Sequence, residues 1–175
     1  KLNLPKYKKV FENKSVVILE NSQSLPRAYL TNQAIKASDQ ETLQLMLDEN
    51  FPIKTTSITS DMEFISSGEP LGENLSYEQL TNSHTMIKVA TNQDAYLVVL
   101  DSFYPGWKAL IDGQVTKIHR TNYNFRGIVL PKGNHRVDFI YKPDSLKYGT
   151  IISGLSILVI LTLFLYSRFS KKGII

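Results

Sequence analysis

Apolar and polar residues alternate through much of the second half of the chain, and this pattern predicts β-strands. A period of two residues is typical of a strand that buries one face. In the last such run, Val137, Phe139 and Tyr141 share one side, and Arg136 and Asp138 share the other. The runs with a strand pattern are HTMIKVAT at 84–91, DAYLVVLDSF at 94–103, NFRGIVL at 124–130 and HRVDFIYK at 135–142.

A hairpin is predicted at Asp112-Gly113, which stands between the runs WKALI and QVTKI. Two-residue Asp-Gly loops favour the type I′ turn, whose twist matches the strands that it joins. Such a turn fixes the register, because directly opposed residues share a face of the sheet. The facing pairs are Ile111 with Gln114, Leu110 with Val115 and Trp107 with Ile118.

The first half of the chain contains short β-favouring runs and one helix pattern. SVVILE at 15–20 and LPRAYL at 25–30 are separated by turn residues and predict a first strand pair. KTTSITSDMEFI at 54–65 alternates as a further strand. SSGEPLGENLSYEQLTN at 66–82 gathers glycine, proline and serine and predicts a loop.

A short helix is predicted after Ser38, which stands three residues ahead of Glu41 in the capping-box spacing. The helix ends before Pro52, which cannot continue it. Its apolar residues share one face and are Leu43, Met46 and Leu47. With at least five hairpin-linked strands, the chain is therefore mainly β, an antiparallel β-sandwich or a jelly-roll-like barrel with one short helix.

The C-terminal segment predicts a transmembrane helix. Residues 148–167, YGTIISGLSILVILTLFLYS, carry no charge over twenty positions, and about that many residues cross ~30 Å of hydrocarbon. Tyr148 and Tyr166 stand where an interfacial aromatic belt places them. The alternative is a buried helix of a soluble core, but such helices usually have a polar stripe that this segment lacks.

The charges beside this helix predict its orientation. Arg168, Lys171 and Lys172 follow it directly, and cytoplasmic loops are enriched in lysine and arginine. We therefore expect an extracytoplasmic β domain at 1–147, a transmembrane helix at 148–167 and a basic cytoplasmic tail at 168–175. The first residues hold no start methionine and no signal sequence, so we expect upstream transmembrane helices of the same protein.

Composition excludes several classes of function. The chain has no cysteine, so disulfides and thiolate chemistry are absent. The formal charge is +4, and three of these charges lie in the last eight residues, which leaves +1 for the rest. A body with that charge lacks the basic footprint of a nucleic-acid-binding protein, and we expect no nucleic acid as a partner.

An aromatic corner in DSFYPGWKALIDG, residues 101–113, is the candidate binding feature. Tyr104 and Trp107 can stack on the apolar faces of sugar rings, with Asp101 or Arg126 supplying hydrogen bonds. The alternative is structural, with Trp107 in the core against Ile118 and Tyr104 capping a turn. Buried aromatic side chains more often serve packing, and both interpretations stay open.

The sequence contains no recognisable catalytic, metal or cofactor site. His84, His119 and His135 lack a metal-ligand spacing, and no glycine-rich phosphate loop or serine elbow occurs. Asp112 belongs to the predicted hairpin and Asp138 is expected to face solvent, so no pair of carboxylates is assigned to acid–base work. We therefore expect no catalytic residue, no metal and no cofactor in this segment.

The order of motifs resembles the C-terminal end of the YfhO-like bacterial membrane proteins. Their pattern there is an aromatic-Pro-Gly-Trp corner, an Asp-Gly hairpin, an Asn-x-x-Phe-Arg strand, a Pro-x-Gly-x-His turn and a Tyr-x-Pro exit into a final span. LPRAYL is similar to the family's entry into this domain. The matching residues here are Tyr104 to Trp107, Asp112-Gly113, Asn122, Phe125, Arg126, Pro131, Gly133, His135, Tyr141 and Pro143.

The resemblance implies a polytopic membrane protein similar to the GT-C class of glycosyltransferases, which move sugars from lipid-linked donors to cell-envelope polymers outside the membrane. This segment is then the extracytoplasmic accessory domain and terminal anchor, with membrane lipid, a lipid-linked sugar and an envelope polymer as its partners. In that class the catalytic carboxylate lies on an early loop outside these residues. The alternative hypothesis is a membrane-anchored β-sandwich that binds envelope polysaccharide or a partner protein without catalysis.

Overall fold

Fourteen strands and two helices form the part of the chain that the computed structural model describes, residues 7–67 and 74–170, with side chains to Ser167. The strands are β1 Tyr7–Glu12, β2 Val17–Asn21, β3 Ala28–Thr31, β4 Gln33–Lys36, β5 Thr56–Thr59, β6 Phe64–Ile65, β7 Asn74–Thr81, β8 His84–Thr91, β9 Ala95–Ser102, β10 Trp107–Ile111, β11 Gln114–Thr116, β12 His119–Thr121, β13 Phe125–Leu130 and β14 Gly133–Tyr141. The helices are α1 Asp39–Leu47 and α2 Asp144–Ser170.

Two sheets pack face to face around an aliphatic core. One sheet has the order β11-β10-β14-β8-β7 and the other the order β3-β9-β13-β12-β5-β4-β6. The core cluster takes Ile87 and Val137 from the first sheet and Leu97 and Ile128 from the second, and all four are fully buried. This confirms the predicted mainly β sandwich. A separate two-stranded sheet, β1-β2, precedes it.

The predicted Asp112-Gly113 hairpin is present, with φ of 50° and 84° at the two turn residues. Positive φ at both positions is the requirement of a type I′ turn. Leu110 faces Val115 as predicted. The ladder between β10 and β11 ends at the pair of Ala109 and Thr116, because the chain leaves this sheet to begin β12 in the other.

Trp107 therefore does not pair with Ile118, contrary to the prediction. It lies opposite Tyr141 on β14, the other neighbour of β10. Trp107 and Ile118 nevertheless both pack against the aliphatic core cluster.

The predicted first strand pair is wrong, because both strands have other partners. β2 pairs with β1, and β3 joins the seven-stranded sheet beside β9, where Leu30 lies opposite Leu97. The 54–65 run divides into β5 and β6. β5 pairs in parallel with β4, with Ile35 opposite Ile58, and this is a departure from the predicted antiparallel pattern.

The predicted loop at 66–82 contains a strand. β7 pairs with β8 along its length, with Tyr77 opposite Ile87, and Leu75 and Tyr77 pack against the core. The glycine and proline of this segment precede β7, within residues 68–73, which lie outside the described residues.

Helix α1 begins at the predicted capping box. The Ser38 hydroxyl accepts a hydrogen bond from the Glu41 backbone, and the Glu41 carboxylate accepts one from the Ser38 backbone. The helix ends at Leu47, before Pro52 is reached. Its buried residue is Thr42, whereas Leu43 and Leu47 are exposed, so the predicted apolar face does not form part of the core.

Helix α2 follows β14 after only Lys142 and Pro143. It begins four residues earlier than predicted, within the expected β domain. Its segment Asp144–Ser167 contains an 18-residue window with a mean hydropathy of 2.2 and has no buried residue. Length and composition make this helix suitable for crossing a membrane. The side chains of the predicted basic tail at 168–175 lie outside the described part of the chain.

Candidate functional site

The side chains between the two sheets change from aliphatic to polar or aromatic at the end of the sandwich next to α2. On β9 the buried Leu97 and Val99 are followed, two positions later, by Asp101. On β13 the buried Ile128 is preceded, two positions earlier, by Arg126. Because alternate residues of a strand share a face, these polar groups continue the inward rows of the core. The residues that end the rows are Thr85, Asp101, Trp107, Arg126 and Tyr141.

An open cavity of about 440 Å³ lies at this end and is called here the cleft. All four residues that the sequence selected for sugar binding line it, together with residues from β7, β8 and β14. The lining residues are Arg27, Gln79, Asn82, Thr85, Asp101, Ser102, Tyr104, Trp107, Arg126 and Tyr141.

Arg126 is the most buried charged residue of the cleft, with 2% of its side chain exposed. Its Nη2 lies 2.8 Å from Oδ2 of Asp101, and its guanidinium carbon lies 3.9 Å from the Trp107 ring centroid. Nε and Nη1 have no hydrogen-bond acceptor among the described residues. Burial lowers the pKa of Arg126, while the charge of Asp101 opposes that shift. An arginine nonetheless stays charged in a protein, so Asp101 is a required counter-ion.

Arg27 approaches the same carboxylate from the solvent side. Its Nε and Nη2 lie 3.2 and 2.8 Å from Oδ1 of Asp101, and 58% of its side chain is exposed. Tyr77 donates its hydroxyl hydrogen bond to Oδ2 of Asp101, at 3.2 Å. The hydrogen bond to Asp101 raises the pKa of Arg27. One carboxylate thus lies between two guanidinium groups, an arrangement called here the Arg27–Asp101–Arg126 cluster.

The aromatic corner packs against the chain that leads into α2. The Lys142 backbone donates a 2.8 Å hydrogen bond to the Gly106 carbonyl. Gly106 has a φ of 106°, and a Cβ at this position would lie 2.8 Å from Cβ of Pro143, so the corner requires glycine. The Tyr104 and Trp107 ring centroids lie 6.4 and 5.2 Å from that of Tyr141.

The two interpretations of the corner therefore apply to different residues. Trp107 is partly buried and packs against the aliphatic core and Arg126, as the structural interpretation predicts. Tyr104 is 62% exposed beside the cleft, and its ring is accessible to a ligand. Sugar binding by Asp101, Tyr104, Trp107 and Arg126 stays a prediction.

The sequence did not identify Arg27, Thr85 or Tyr141 as members of this site. Thr85 is 3% exposed and lines the cleft. The strand pattern could have identified Thr85, because it is a polar residue at an inward position of a row that is otherwise aliphatic. Arg27 carries no such signal, since it precedes β3.

The three histidines are separate from the cleft and from one another. Ring nitrogens of His84, His119 and His135 each approach one carboxylate, at 2.8, 2.8 and 2.6 Å, on Asp138, Asp61 and Asp112 respectively. Among residues 7–67 and 74–170, no group of three histidine or carboxylate residues could hold a metal ion.

Asp138 is only 14% exposed, contrary to the solvent-facing position expected from the sequence. Side-chain hydrogen bonds, the larger from Arg136 and the smaller from His84, lower the pKa of Asp138 although burial opposes them.

A larger open depression, of about 590 Å³, lies on the outer face of the five-stranded sheet. Its charged residues include Lys88, Asp112, His135 and Arg136, and the last three make hydrogen bonds or ion pairs with neighbouring side chains. Its described lining residues include no phenylalanine, tyrosine or tryptophan and no buried charge. The cleft is therefore the stronger candidate site.

Comparison with known proteins matches a region that contains every lining residue of the cleft except Arg27. Residues 72–153 match the family model described as bacterial membrane protein YfhO. Over 82 residues the chain is 30% identical to a Bacillus subtilis (strain 168) protein named uncharacterized protein YfhO, a match that covers 47% of this chain and 9% of that relative. No solved structure matches the chain. The matched region includes β7 to β14 and the start of α2, whereas Arg27 precedes it.

Proposed function

We propose that the β-sandwich is the extracytoplasmic accessory domain, and α2 the membrane anchor, of a polytopic membrane protein. That protein transfers sugar from a lipid-linked donor to a cell-envelope polymer. The match of residues 72–153 to a YfhO-like membrane-protein region supports this function. The cleft binds a sugar group of the donor or the acceptor. The alternative function is a membrane-anchored module that binds envelope polysaccharide or a partner protein without taking part in transfer.

The observation that carries this proposal is the position of the cleft beside the apolar helix. Tyr141 lines the cleft, and α2 begins three residues later at Asp144. Three residues span at most about 11 Å, even when fully extended. A helix that crosses a bilayer would therefore keep the cleft close to the membrane surface, where the sugar of a lipid-linked donor projects.

The chemistry of the cleft suits binding rather than catalysis. The exposed ring of Tyr104 offers a flat apolar face, and the side chains of Gln79, Asn82 and Thr85 offer hydrogen-bonding groups for sugar hydroxyls. The carboxylate that lines the cleft, Asp101, accepts hydrogen bonds on both oxygens. A carboxylate held in this way is poorly placed to move a proton during transfer. The catalytic groups then belong to the membrane part of the parent protein.

A fluorescence titration tests binding in the cleft, because Trp107 is the single tryptophan of the 175-residue chain. The chain is inserted into phosphatidylcholine nanodiscs and titrated with an oligosaccharide from an envelope polymer. We expect a saturable change in Trp107 emission as the oligosaccharide binds. The affinity that this change reports should be at least tenfold weaker in Tyr104→Ala. The control variant is Leu47→Ala, which removes an exposed apolar side chain on α1.

Sugar transfer by the full-length parent distinguishes the two functions. We expect Tyr104→Ala to reduce the sugar incorporated into the envelope polymer while the protein remains in the membrane. Unchanged transfer together with intact glycan binding by the wild-type chain would favour the binding module. Unchanged transfer without any glycan binding would refute the role in transfer and the binding of polysaccharide, and would leave binding of a partner protein as the function.

A further inference from the structure

The β1–β2 hairpin, residues 7–21, exposes its apolar side chains to solvent. Every residue of β1 and the first four residues of β2 are exposed. The exposed large apolar residues of the hairpin are Tyr7, Val10, Phe11, Val16, Val17, Ile18 and Leu19. A two-stranded sheet is at best marginally stable by itself in water, and large exposed apolar patches mark interaction surfaces. The hairpin therefore needs a covering surface from outside the described residues.

We propose that this surface is the headgroup region of the bilayer that α2 crosses, so that the hairpin is a second contact of the chain with lipid. The inference rests on one part of the proposed function, the membrane anchor. It does not depend on sugar binding in the cleft or on sugar transfer, because the hairpin does not line the cleft.

The hairpin is tethered at the end of the sandwich from which α2 leaves. β3 begins at this end, because Ala28 lies opposite Val99, which is two positions before Asp101 of the cleft. Asn21, the last residue of β2, is seven positions from Ala28, and seven residues span at most about 25 Å. The Ser24 backbone donates a hydrogen bond to the Asn21 carbonyl, so the connection turns and is shorter than this limit.

Each face of the hairpin combines apolar and charged side chains. On one face Phe11 lies opposite Ile18, and Lys8 lies opposite Glu20. Ile18 and Glu20 are two positions apart on β2, so both pairs share this face. The paired residues of the other face include Lys9, Glu12, Val17 and Leu19. Such a mixture suits the boundary between headgroups and acyl chains, where lysine stems cover apolar surface and their ammonium groups stay in the polar layer.

The charges of the hairpin favour the phosphates of lipid headgroups. Residues 7–21 contain three lysines and two glutamates, and therefore carry one net positive charge. Basic residues close to a bilayer are attracted to anionic headgroups. The apolar side chains and the net charge thus favour the same partner.

The open edges of the hairpin determine its depth. β1 and β2 pair only with each other among the described strands, so the outer edge of each strand is open. Backbone N–H and C=O groups at an open edge have to keep polar partners, and hydrocarbon provides none. The hairpin therefore lies at the level of the headgroups, whereas α2 passes through the hydrocarbon.

A second copy of the chain is a weaker candidate for the covering surface. A face of five residues on each of two strands measures about 17 Å by 10 Å. A stable protein interface takes about 800 Å² from each partner. The hairpin alone is too small for such an interface, whereas a bilayer surface covers it without that requirement.

Lipid-attached nitroxides test this inference by quenching a fluorescent label at a chosen residue. The chain has no cysteine, so one substitution provides a single site for a bimane label. The variants are Val17→Cys in the hairpin, Leu158→Cys near the middle of α2, and Val115→Cys as the control. Val115 is an exposed valine like Val17, but it lies on β11, which follows the turn at the far end of the sandwich. Each labelled chain is inserted into phosphatidylcholine nanodiscs that carry the nitroxide near the headgroup or near the end of the acyl chain.

The expected quenching depends on the depth of each label. A nitroxide near the headgroup should lower the emission of Val17→Cys by about twofold or more, and one near the acyl-chain end should lower it less. Leu158→Cys should show the reverse order, and Val115→Cys should be quenched by neither.

A second substitution tests whether apolar side chains hold the hairpin at the bilayer. Leu19→Asp places a charge on the same face as Val17, and it should remove the quenching of Val17→Cys. The matched control is Leu43→Asp on α1, because Leu43 is 44% exposed and Leu19 is 42% exposed. It should leave the quenching unchanged. Circular dichroism of each variant shows that the sandwich is folded.

The outcomes separate this inference from the proposed function. Quenching of Leu158→Cys without quenching of Val17→Cys overturns the lipid contact of the hairpin and leaves the membrane anchor standing. A blue shift of the Val17→Cys label that appears only when two chains share a nanodisc also overturns it, and assigns the covering surface to a second copy. Absence of quenching at Leu158→Cys overturns the anchor and the inference together.

Discussion

The two ends of the sandwich interior differ in chemistry although the same strands build both. At the end away from α2, inward residues such as Val89, Ala95 and Leu130 are aliphatic and at most 3% exposed. At the α2 end, the same rows finish in Asp101 and Arg126. The period of two residues is unchanged, so the difference is in residue type and not in the geometry of the strands.

This difference has an energetic consequence. Aliphatic burial stabilises the far end by about 25 cal/mol per Å² of apolar surface removed from water. A buried ion pair, in contrast, is often no better for stability than well-packed apolar residues of similar volume. Arg126 also has two nitrogens without an acceptor among the described residues, which adds to the desolvation cost. Stability alone therefore does not explain the polar end, and this agrees with the ligand binding that we propose for the cleft.

The largest expected effect that tests this comparison is removal of the shared counter-ion. Asp101→Ala leaves Arg126 buried without a charge partner, and we expect the free energy of unfolding to fall by about 3–5 kcal/mol. The matched control is Asp39→Ala, which breaks the exposed ion pair with Arg120 and should cost no more than about 1 kcal/mol. Chemical denaturation of the chain in detergent measures both.

Arg126→Met sharpens the same prediction. It removes the buried charge and keeps an unbranched side chain against Trp107, while Asp101 retains Arg27 and Tyr77 as partners. We expect a smaller loss of stability than in Asp101→Ala. If the two variants are equally destabilised, the argument that the charge is costly would be wrong.

The next effect concerns the two aromatic residues of the corner. Trp107→Ala removes a ring that packs against the aliphatic core and Arg126, and large core truncations of this kind cost about 3–5 kcal/mol, an upper range for a partly buried ring. Tyr104→Ala removes a ring that is 62% exposed and should change stability by no more than about 0.5 kcal/mol. Thermal unfolding followed by circular dichroism compares the two variants. Equal losses would mean that Tyr104 is also part of the scaffold.

Local patterns predicted those parts of the fold that depend on neighbouring residues. The Asp112-Gly113 turn, the Ser38 capping box and the alternation of β14 all follow from interactions within a few positions. Partners distant in sequence were not predictable in this way. β3 pairs with β9 more than sixty positions later, and the first strand pair was wrong for that reason.

The candidate site shows the same limit. Asp101, Tyr104 and Trp107 are close in sequence and belong to one motif, so they could be selected together. Arg27 lies 74 positions from Asp101, and nothing in the local pattern joins them. β7 was missed because glycine and proline precede it, although Leu75 and Tyr77 alternate as a strand requires.

The smallest effect is a pH dependence at the far end of the sandwich. There His135 Nδ1 lies 2.6 Å from Oδ2 of Asp112, in the β10–β11 turn. The hydrogen bond to Asp112 raises the pKa of His135. A backbone hydrogen bond from Arg136, then the one from His135, lowers the pKa of Asp112.

The raised pKa of His135 means that its contribution to stability is complete below the unfolded value of about 6.5 and is lost as the pH rises through the folded value. The lowered pKa of Asp112 gives a contribution that is present above about 3.9 and is lost as the pH falls through its folded value. We therefore expect wild type to exceed His135→Gln by about 2 °C in thermal midpoint at pH near 5.5, and by less at pH near 8.5. The difference between wild type and Arg126→Met should be the same at both pH values, because an arginine keeps its charge throughout this range. A pH-dependent difference for Arg126→Met would show that the two ends are coupled, and would remove the distinction between a titrating turn and a cleft whose arginine keeps its charge.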